Sequence, residues 1–313
     1  MLSDVHGLHH VTGIVGDPGE AARFYGGTLG MRLLRRTVNY EDVLQYHLYF
    51  GDATGAPGSV LTVFPDPTGD PGRVGRPGYE AVSLAVPAGS LDFWADRLDS
   101  HAGAPDAPAE RLTRFDEPVL RTADPAGTAV ELVPTEPHPA DDPWTAGPVP
   151  DEHAIRGVHG VTGLPTDPYG AASVLETLGF EYVAEAGDRV RYRLAGGENA
   201  RPSVVDLLAG DGEFVREGPG TLHHLAVRVR DRETLLAWHD LFREREHEVS
   251  RVKDRHFFHS LYVRGPGGLL VELATDERPA DGPPGEGLAD PDTTGHASEL
   301  YVPERFGVDR QLI

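Results

Sequence analysis

The chain has 313 residues, 39% of them hydrophobic, which is enough apolar matter for ordinary cores and a length that makes two domains the default. Its formal charge of −22, from 50 acidic against 28 basic residues, argues against nucleic acid or an anionic membrane as a partner. No cysteine is present, which excludes disulfides, thiolate ligands and a cysteine nucleophile, so any metal must use His, Asp or Glu. No apolar run has the length of a membrane span and no basic-then-apolar segment opens the chain, so a soluble, cytoplasmic protein is expected. Lys253 is the only lysine. An acidic surface with arginine in place of lysine suits a halophile and equally follows from GC-rich codon usage.

In chain order, Leu8-His9-His10-Val11-Thr12-Gly13-Ile14-Val15-Gly16-Asp17 alternates apolar and polar residues and predicts a strand. A helix over 19–29 follows, with Ala21, Ala22, Phe24 and Tyr25 as its apolar set and Gly30 as its left-handed cap. Strand-like runs come next at 46–50 and 59–64. The same succession returns with a strand opening at 79–86, a helix at 90–98 and strands at 118–122 and 128–133. It returns again as 158–167, 169–178 capped by Gly179, 189–194 and 203–208. The last copy opens with Leu222-His223-His224-Leu225-Ala226-Val227, nearly letter for letter the first strand. A helix at 233–242 and strands at 259–264 and 269–273 complete it.

The pattern predicts an α+β fold of four βαβββ modules, at about 6–67, 78–135, 156–209 and 220–275, forming two paired-module half-barrels. Residues 1–137 hold the first two modules, 138–152 form a Pro/Asp/Gly-rich linker, and 153–276 hold the other two. An acidic, Pro/Gly-rich tail follows over 277–313, loop-like to 294. From 298 it regains aromatic and aliphatic residues, expected to dock on the body or on a partner subunit, which leaves a homo-oligomer open.

Register decides which modules pair. In the opening strands one position holds His10, Ala81, Gly160 and His224; in the closing strands one position holds Thr62, Glu131, Asp206 and Glu272. The gaps agree: 62−10 is 52, 131−81 is 50, 206−160 is 46 and 272−224 is 48. Histidine is kept only in modules 1 and 4, so these two must pair and share a metal site of His10, His224 and Glu272. Modules 2 and 3 then form a metal-free half, with Glu131 and Asp206 expected to be solvated strand residues. Two imidazoles and one carboxylate with open positions form the facial triad of non-haem Fe(II) enzymes. Mn(II) fits the same ligands, and zinc accepts them too.

Within these motifs the chain resembles the vicinal oxygen chelate (glyoxalase/bleomycin resistance/dioxygenase) superfamily. Leu8-His9-His10-Val11-Thr12, Tyr46-His47-Leu48-Tyr49-Phe50-Gly51-Asp52, Gly220-Thr221-Leu222-His223-His224 and Asp254-Arg255-His256-Phe257-Phe258-His259-Ser260-Leu261-Tyr262 resemble, more narrowly, its ring-cleaving hydroquinone-type dioxygenases. The resemblance covers roughly residues 6–276. It implies Fe(II), O2 and a small aromatic substrate, with His10, His224 and Glu272 as ligands. Tyr262, Arg255, His9, Thr12 and His223 are implied as pocket or supporting groups.

The residues speak to these roles unequally. Tyr262 and Glu272 flank the 265–268 turn at nearly equal distance, which predicts cross-strand neighbours, though packing on the sheet is the plainer role for a tyrosine. Arg255 suits a phenolate or carboxylate, yet most arginines cover surface. Thr12 shares the face of His10. Alternation turns His9 and His223 away, unless a bulge re-aims them. His256 and His259 are assigned no role. The expected reaction is Fe(II)-dependent opening of a hydroquinone-type ring with O2. Its rivals are extradiol cleavage of a catechol, a glyoxalase-like metal-dependent isomerase, and a ligand-binding module. An isomerase wants a second carboxylate ligand, and Thr62 stands where it would come from.

Overall fold

The structure is a computed structural model that describes residues 5–100, 108–197, 200–276 and 295–303. The tail expected over 277–294 and 304–313 lies outside the described residues.

Each module is a strand, a helix and an antiparallel three-stranded return. The first has β1 (Val5–Val15), α1 (Pro18–Ala21, continued as a π-helix over Ala22–Thr28), β2 (Arg32–Asn39), β3 (Asp42–Gly51) and β4 (Val60–Pro65). The second has β5 (Gly78–Pro87), α2 (Leu91–Ser100), β6 (Glu110–Arg114), β7 (Glu117–Ala123) and β8 (Ala129–Thr135). The third has β9 (Gly157–Leu164), α3 (Pro168–Thr177), β10 (Glu181–Ala186), β11 (Arg189–Leu194) and β12 (Ser203–Leu208). The fourth has β13 (Thr221–Val229), α4 (Arg232–Glu244), β14 (Glu248–Val249), β15 (Lys253–Asp254), β16 (His259–Arg264) and β17 (Leu270–Thr275). In this last copy the second strand is split in two, and both pieces pair with β16.

Helix ends follow local chemistry. Asp17, Asp167 and Asp231 each accept main-chain N–H groups as N-caps, and Pro18 and Pro168 start their helices where no N–H is needed. Gly30 and Gly179 take φ of 70° and 91°, as left-handed stops.

The opening strands choose the partners. β1 runs antiparallel to β13, joining modules 1 and 4, and β5 runs antiparallel to β9, joining modules 2 and 3. Within each module the opening strand lies parallel to the closing one, and Thr12↔Thr62, Ser83↔Glu131, Thr162↔Asp206 and Ala226↔Glu272 are the aligned pairs. The closing-strand positions are therefore equivalent in space. Two curved half-barrels result, and the sheet does not close into a barrel. They meet where Leu222 pairs with Tyr79, whose hydroxyl donates to the Leu270 carbonyl at 2.9 Å. Trp94, Trp238, Phe24, Tyr25 and Phe242 are fully buried beneath the helices in one continuous apolar core.

The carboxylates of modules 2 and 3 correct an expectation. Glu131 and Asp206 are buried, not solvated. Arg189 and Arg191 donate to Asp206 at 3.1 and 2.7 Å, and Arg114 and Arg121 to Glu131 at 3.5 and 3.3 Å. Guanidinium groups here supply the positive charge that buried carboxylates require. Gly160, at the histidine position, has no room for a side chain: an added Cβ would stand 2.2 Å from the Val204 carbonyl oxygen.

Candidate metal centre

His10 on β1, His224 on β13 and Glu272 on β17 converge between modules 1 and 4. Glu272 Oε2 lies 3.1 Å from His10 Nε2 and 2.8 Å from His224 Nε2, and the two nitrogens are 3.2 Å apart. All three side chains are buried. They are the only group of three or more His, Cys, Asp or Glu side chains among the described residues placed to hold a metal ion.

Four β-bulges shape this centre and its counterpart. The β1–β13 register slips at His9 and at His223, and the β5–β9 register slips at Glu80 and at His159. These four residues occupy the same place in the four opening strands, one before the ligand position. The slip cancels the alternation that would turn His9 and His223 away. Instead His9 Nδ1 sits 2.9 Å from His10 Nδ1, and His223 Nδ1 sits 2.7 Å from His224 Nδ1. Burial holds His9 well below its usual pKa and lowers that of His223, so both are neutral near pH 7. A neutral partner that accepts the Nδ1–H of His10 or His224 leaves the Nε2 lone pair facing inward, the tautomer a metal needs.

The carboxylate fits a cation as well. Burial pushes the Glu272 carboxyl up, but the two imidazoles outweigh it and hold the group well below the usual carboxylate range. Despite the short approaches, neither Glu272 oxygen receives a well-directed hydrogen bond. Two imidazole nitrogens facing an ionised, buried carboxylate form a donor set that a metal ion satisfies. Burial also lowers His224 to about 3, so it is neutral and ready to ligate.

Above the triad opens a cavity of about 380 Å³, walled by Ile14, Phe64, Phe258 and Leu270 on its apolar sides. Thr12 and His223 line it, whereas His9 is not among its lining residues. Thr12 Oγ1 lies 2.9 Å from His224 Nε2 and 2.8 Å from Thr62 Oγ1. Tyr262 stands directly across from Glu272 in the β16–β17 ladder, with its ring edge-on to His224. Arg255 Nη2 donates to the Tyr262 hydroxyl at 2.9 Å and to Glu41 Oε2 at 3.1 Å. An arginine only donates, so the phenol oxygen accepts and its own hydrogen is left to point elsewhere. Burial and the nearby Glu272 charge push the Tyr262 pKa well up, against Arg255, so the phenol keeps that hydrogen. Lys253, the sole lysine, also lines the cavity, where it binds Glu41 and faces the Tyr262 ring.

His47 is a cavity residue to which the sequence reading gave no role. His47 Nε2 is 2.9 Å from Thr62 Oγ1, and the ring packs between Tyr49 and Phe64. Its signal was present in strand alternation, since His47, Tyr49 and Thr62 share the inner face of β3 and β4. The sequence reading placed Thr62 at the metal but did not carry that face across to His47.

The family model described as Glyoxalase/Bleomycin resistance protein/Dioxygenase superfamily matches residues 7–132 and 121–273. The chain belongs to this superfamily. Among superfamily relatives, the Bacillus subtilis (strain 168) protein named "Putative ring-cleaving dioxygenase MhqO" is 37% identical over 321 residues, covering 100% of this chain and 97% of its own. The chlorohydroquinone/hydroquinone 1,2-dioxygenase of Sphingobium indicum is 31% identical over 277 residues, covering 86% and 85%. A crystal structure described as a putative dioxygenase from Bacillus subtilis superposes with a TM-score of 0.86 at 36% identity, over 97% of this chain and 94% of that one.

Proposed function

We propose that this superfamily member is an Fe(II)-dependent ring-cleaving dioxygenase that opens a hydroquinone-type ring with O2, in the cytoplasm. His10, His224 and Glu272 hold the iron, and Mn(II) suits the same set. One observation carries the reading: a two-histidine, one-carboxylate triad lies under a cavity of about 380 Å³ walled by aromatic and aliphatic side chains and edged by hydroxyl donors. The relatives named as ring-cleaving dioxygenases support it.

Iron held by His10, His224 and Glu272 would supply a Lewis acid that eases deprotonation of a phenol and a redox centre for chemistry with O2. The chain's own groups then have distinct tasks. Ile14, Phe64, Phe258 and Leu270 take the ring and keep water out. Tyr262 presents a phenolic hydrogen to an oxygen atom of the reactants, held in place by Arg255. Thr12 offers a second hydroxyl beside His224 Nε2. His9 and His223 fix the tautomers of the two ligand histidines. Thr62, where a glyoxalase-like site would place a second carboxylate, supplies a hydroxyl, which disfavours the isomerase reading.

The test is anaerobic reconstitution with Fe(II), followed by O2 electrode measurements with hydroquinone and substituted hydroquinones. Uptake of one O2 per ring opened is expected. Stoichiometric iron without O2 uptake on any hydroquinone or catechol overturns the proposal.

A further inference from the structure

Part of the cavity wall is braced by a piece of chain outside all four modules. Residues 295–303 run along β2. Leu33 N donates to His296 Nδ1 at 2.9 Å, Ala297 N to the Leu33 carbonyl at 2.7 Å and Tyr301 N to the Arg36 carbonyl at 2.8 Å. Arg36 and Leu300 pair as a parallel bridge. β3 pairs with β2 along its other side, so this segment covers a sheet edge.

From that edge the segment reaches the 254–258 turn. His256 has a φ of 70°, a left-handed conformation that residues other than glycine seldom take. Two hydrogen bonds hold the turn from within: His256 N to Asp254 Oδ1 at 2.7 Å, and Arg255 N to the Phe258 carbonyl at 2.9 Å. A third comes from the segment, because Tyr301 Oη and His256 Nε2 lie 2.7 Å apart. The Arg35 guanidinium covers the Tyr301 ring at 4.9 Å and the Phe257 ring at 5.6 Å.

The turn faces two ways. Arg255 and Phe258 enter the cavity. Phe257 and Phe258 join Leu34, Tyr49, Val60 and Ala274 in a small apolar cluster separate from the main core, and Tyr301 packs against it. Tyr49 and Phe258 belong both to this cluster and to the cavity lining. The cavity wall therefore rests on a miniature core that the 295–303 segment covers.

We propose that Tyr301 and His256 are positioning residues for the ring-opening site: Tyr301 locks the left-handed turn, and the turn sets Arg255 against Tyr262 and Phe258 against the substrate ring. The placement of substrate rests on the function proposed above. The brace itself does not.

The experiment compares Tyr301→Phe, which keeps the ring and deletes the hydroxyl, with Tyr301→Phe/His256→Gly, in which glycine takes the left-handed conformation unaided. Hydrogen exchange of a peptide covering 250–262 is read in the metal-loaded full chain, alongside metal content and the KM and kcat for hydroquinone. Tyr301→Phe is expected to speed exchange at 254–258 and raise KM about twofold to tenfold, as the loss of one hydrogen bond allows, with kcat and metal content little changed. The double variant is expected to recover most of the KM. Unchanged exchange in Tyr301→Phe overturns the brace, and so does a double variant as impaired as the single. If no variant, nor the parent, consumes O2 with hydroquinones, the function reading fails while the exchange comparison still decides this one.

Discussion

At the scale of single residues, the centre is a problem in tautomers and buried charge. His10 and His224 present Nε2 inward because each Nδ1 faces a neutral histidine 2.9 or 2.7 Å away. Replacing His9 or His223 by alanine removes that partner, and metal affinity should fall about 10- to 100-fold, measured by competition with a chelator of known affinity. A drop of less than twofold in both would mean that the tautomers are set elsewhere. Acid stability follows from the same buried imidazoles. Burial holds His9 and His47 well below 6.5, His159 at about 4 and His224 at about 3. Above about pH 6.5 folded and unfolded chains are both neutral at these positions, so no stability depends on them. As the pH falls below that, the unfolded chain takes up protons that the folded chain refuses. Each such histidine then costs about 1.4 kcal/mol per pH unit until its folded pKa is reached. The midpoint of thermal unfolding of metal-free protein should therefore drop steeply between about pH 6.5 and 5, and a flat profile would contradict the burial argument. Lys253 gives a third handle. It is the only lysine, and it lines the cavity, so acylation of its amine should be slowed by a bound hydroquinone and unaffected by an aliphatic alcohol of similar size. Mass spectrometry of the 252–255 peptide reads the result.

Elements explain why only one half of the molecule has this centre. The four opening strands share a bulge at one place, filled by His9, Glu80, His159 and His223. They differ one residue later, where modules 1 and 4 carry histidine and modules 2 and 3 carry Ala81 and Gly160. In β9 the missing side chain is enforced by packing. An added Cβ at Gly160 would lie 2.2 Å from a main-chain oxygen of β12, and backbone cannot step aside as a side-chain tip can. Gly160→Ala should therefore destabilise by about 1–3 kcal/mol, toward the upper end, in denaturant titrations, with metal content unchanged. The split of the fourth module's second strand into β14 and β15 belongs to this scale too. The break frees the 254–258 turn to carry Arg255 into the cavity, which an unbroken ladder would have held in alternation.

For the whole molecule, the two half-barrels are one design with two ways of neutralising buried carboxylates. Modules 1 and 4 set Glu272 against two imidazoles, where we propose a metal ion, and modules 2 and 3 surround Glu131 and Asp206 with arginines. Arg191→Ala should cost about 3 kcal/mol, the low end of the range for breaking a buried pair, because Arg189 still faces Asp206. Unfolding of the metal-loaded variant should show the loss while metal stoichiometry stays the same. A fall in metal content would mean that the halves are coupled more tightly than their short shared register implies.

The linear order of residues determined much of this by itself. Module periodicity, the pairing of modules 1 and 4, and the meeting of His10, His224 and Glu272 all follow from residue spacing, since a strand's side-chain direction has a fixed period and register counts transfer directly into space. The orientation of His9 and His223 did not follow, because a bulge depends on how two distant strands match, and alternation within one strand carries no trace of it. The burial of Glu131 and Asp206 was hidden for a similar reason: the arginines that neutralise them lie on other strands. The same holds for His47, which reaches the centre through Thr62, and for Tyr301, whose contact with His256 spans 45 positions. Tertiary structure decided these because their energies arise from pairs that only folding brings together, while the spacing of one strand's residues is present before folding begins.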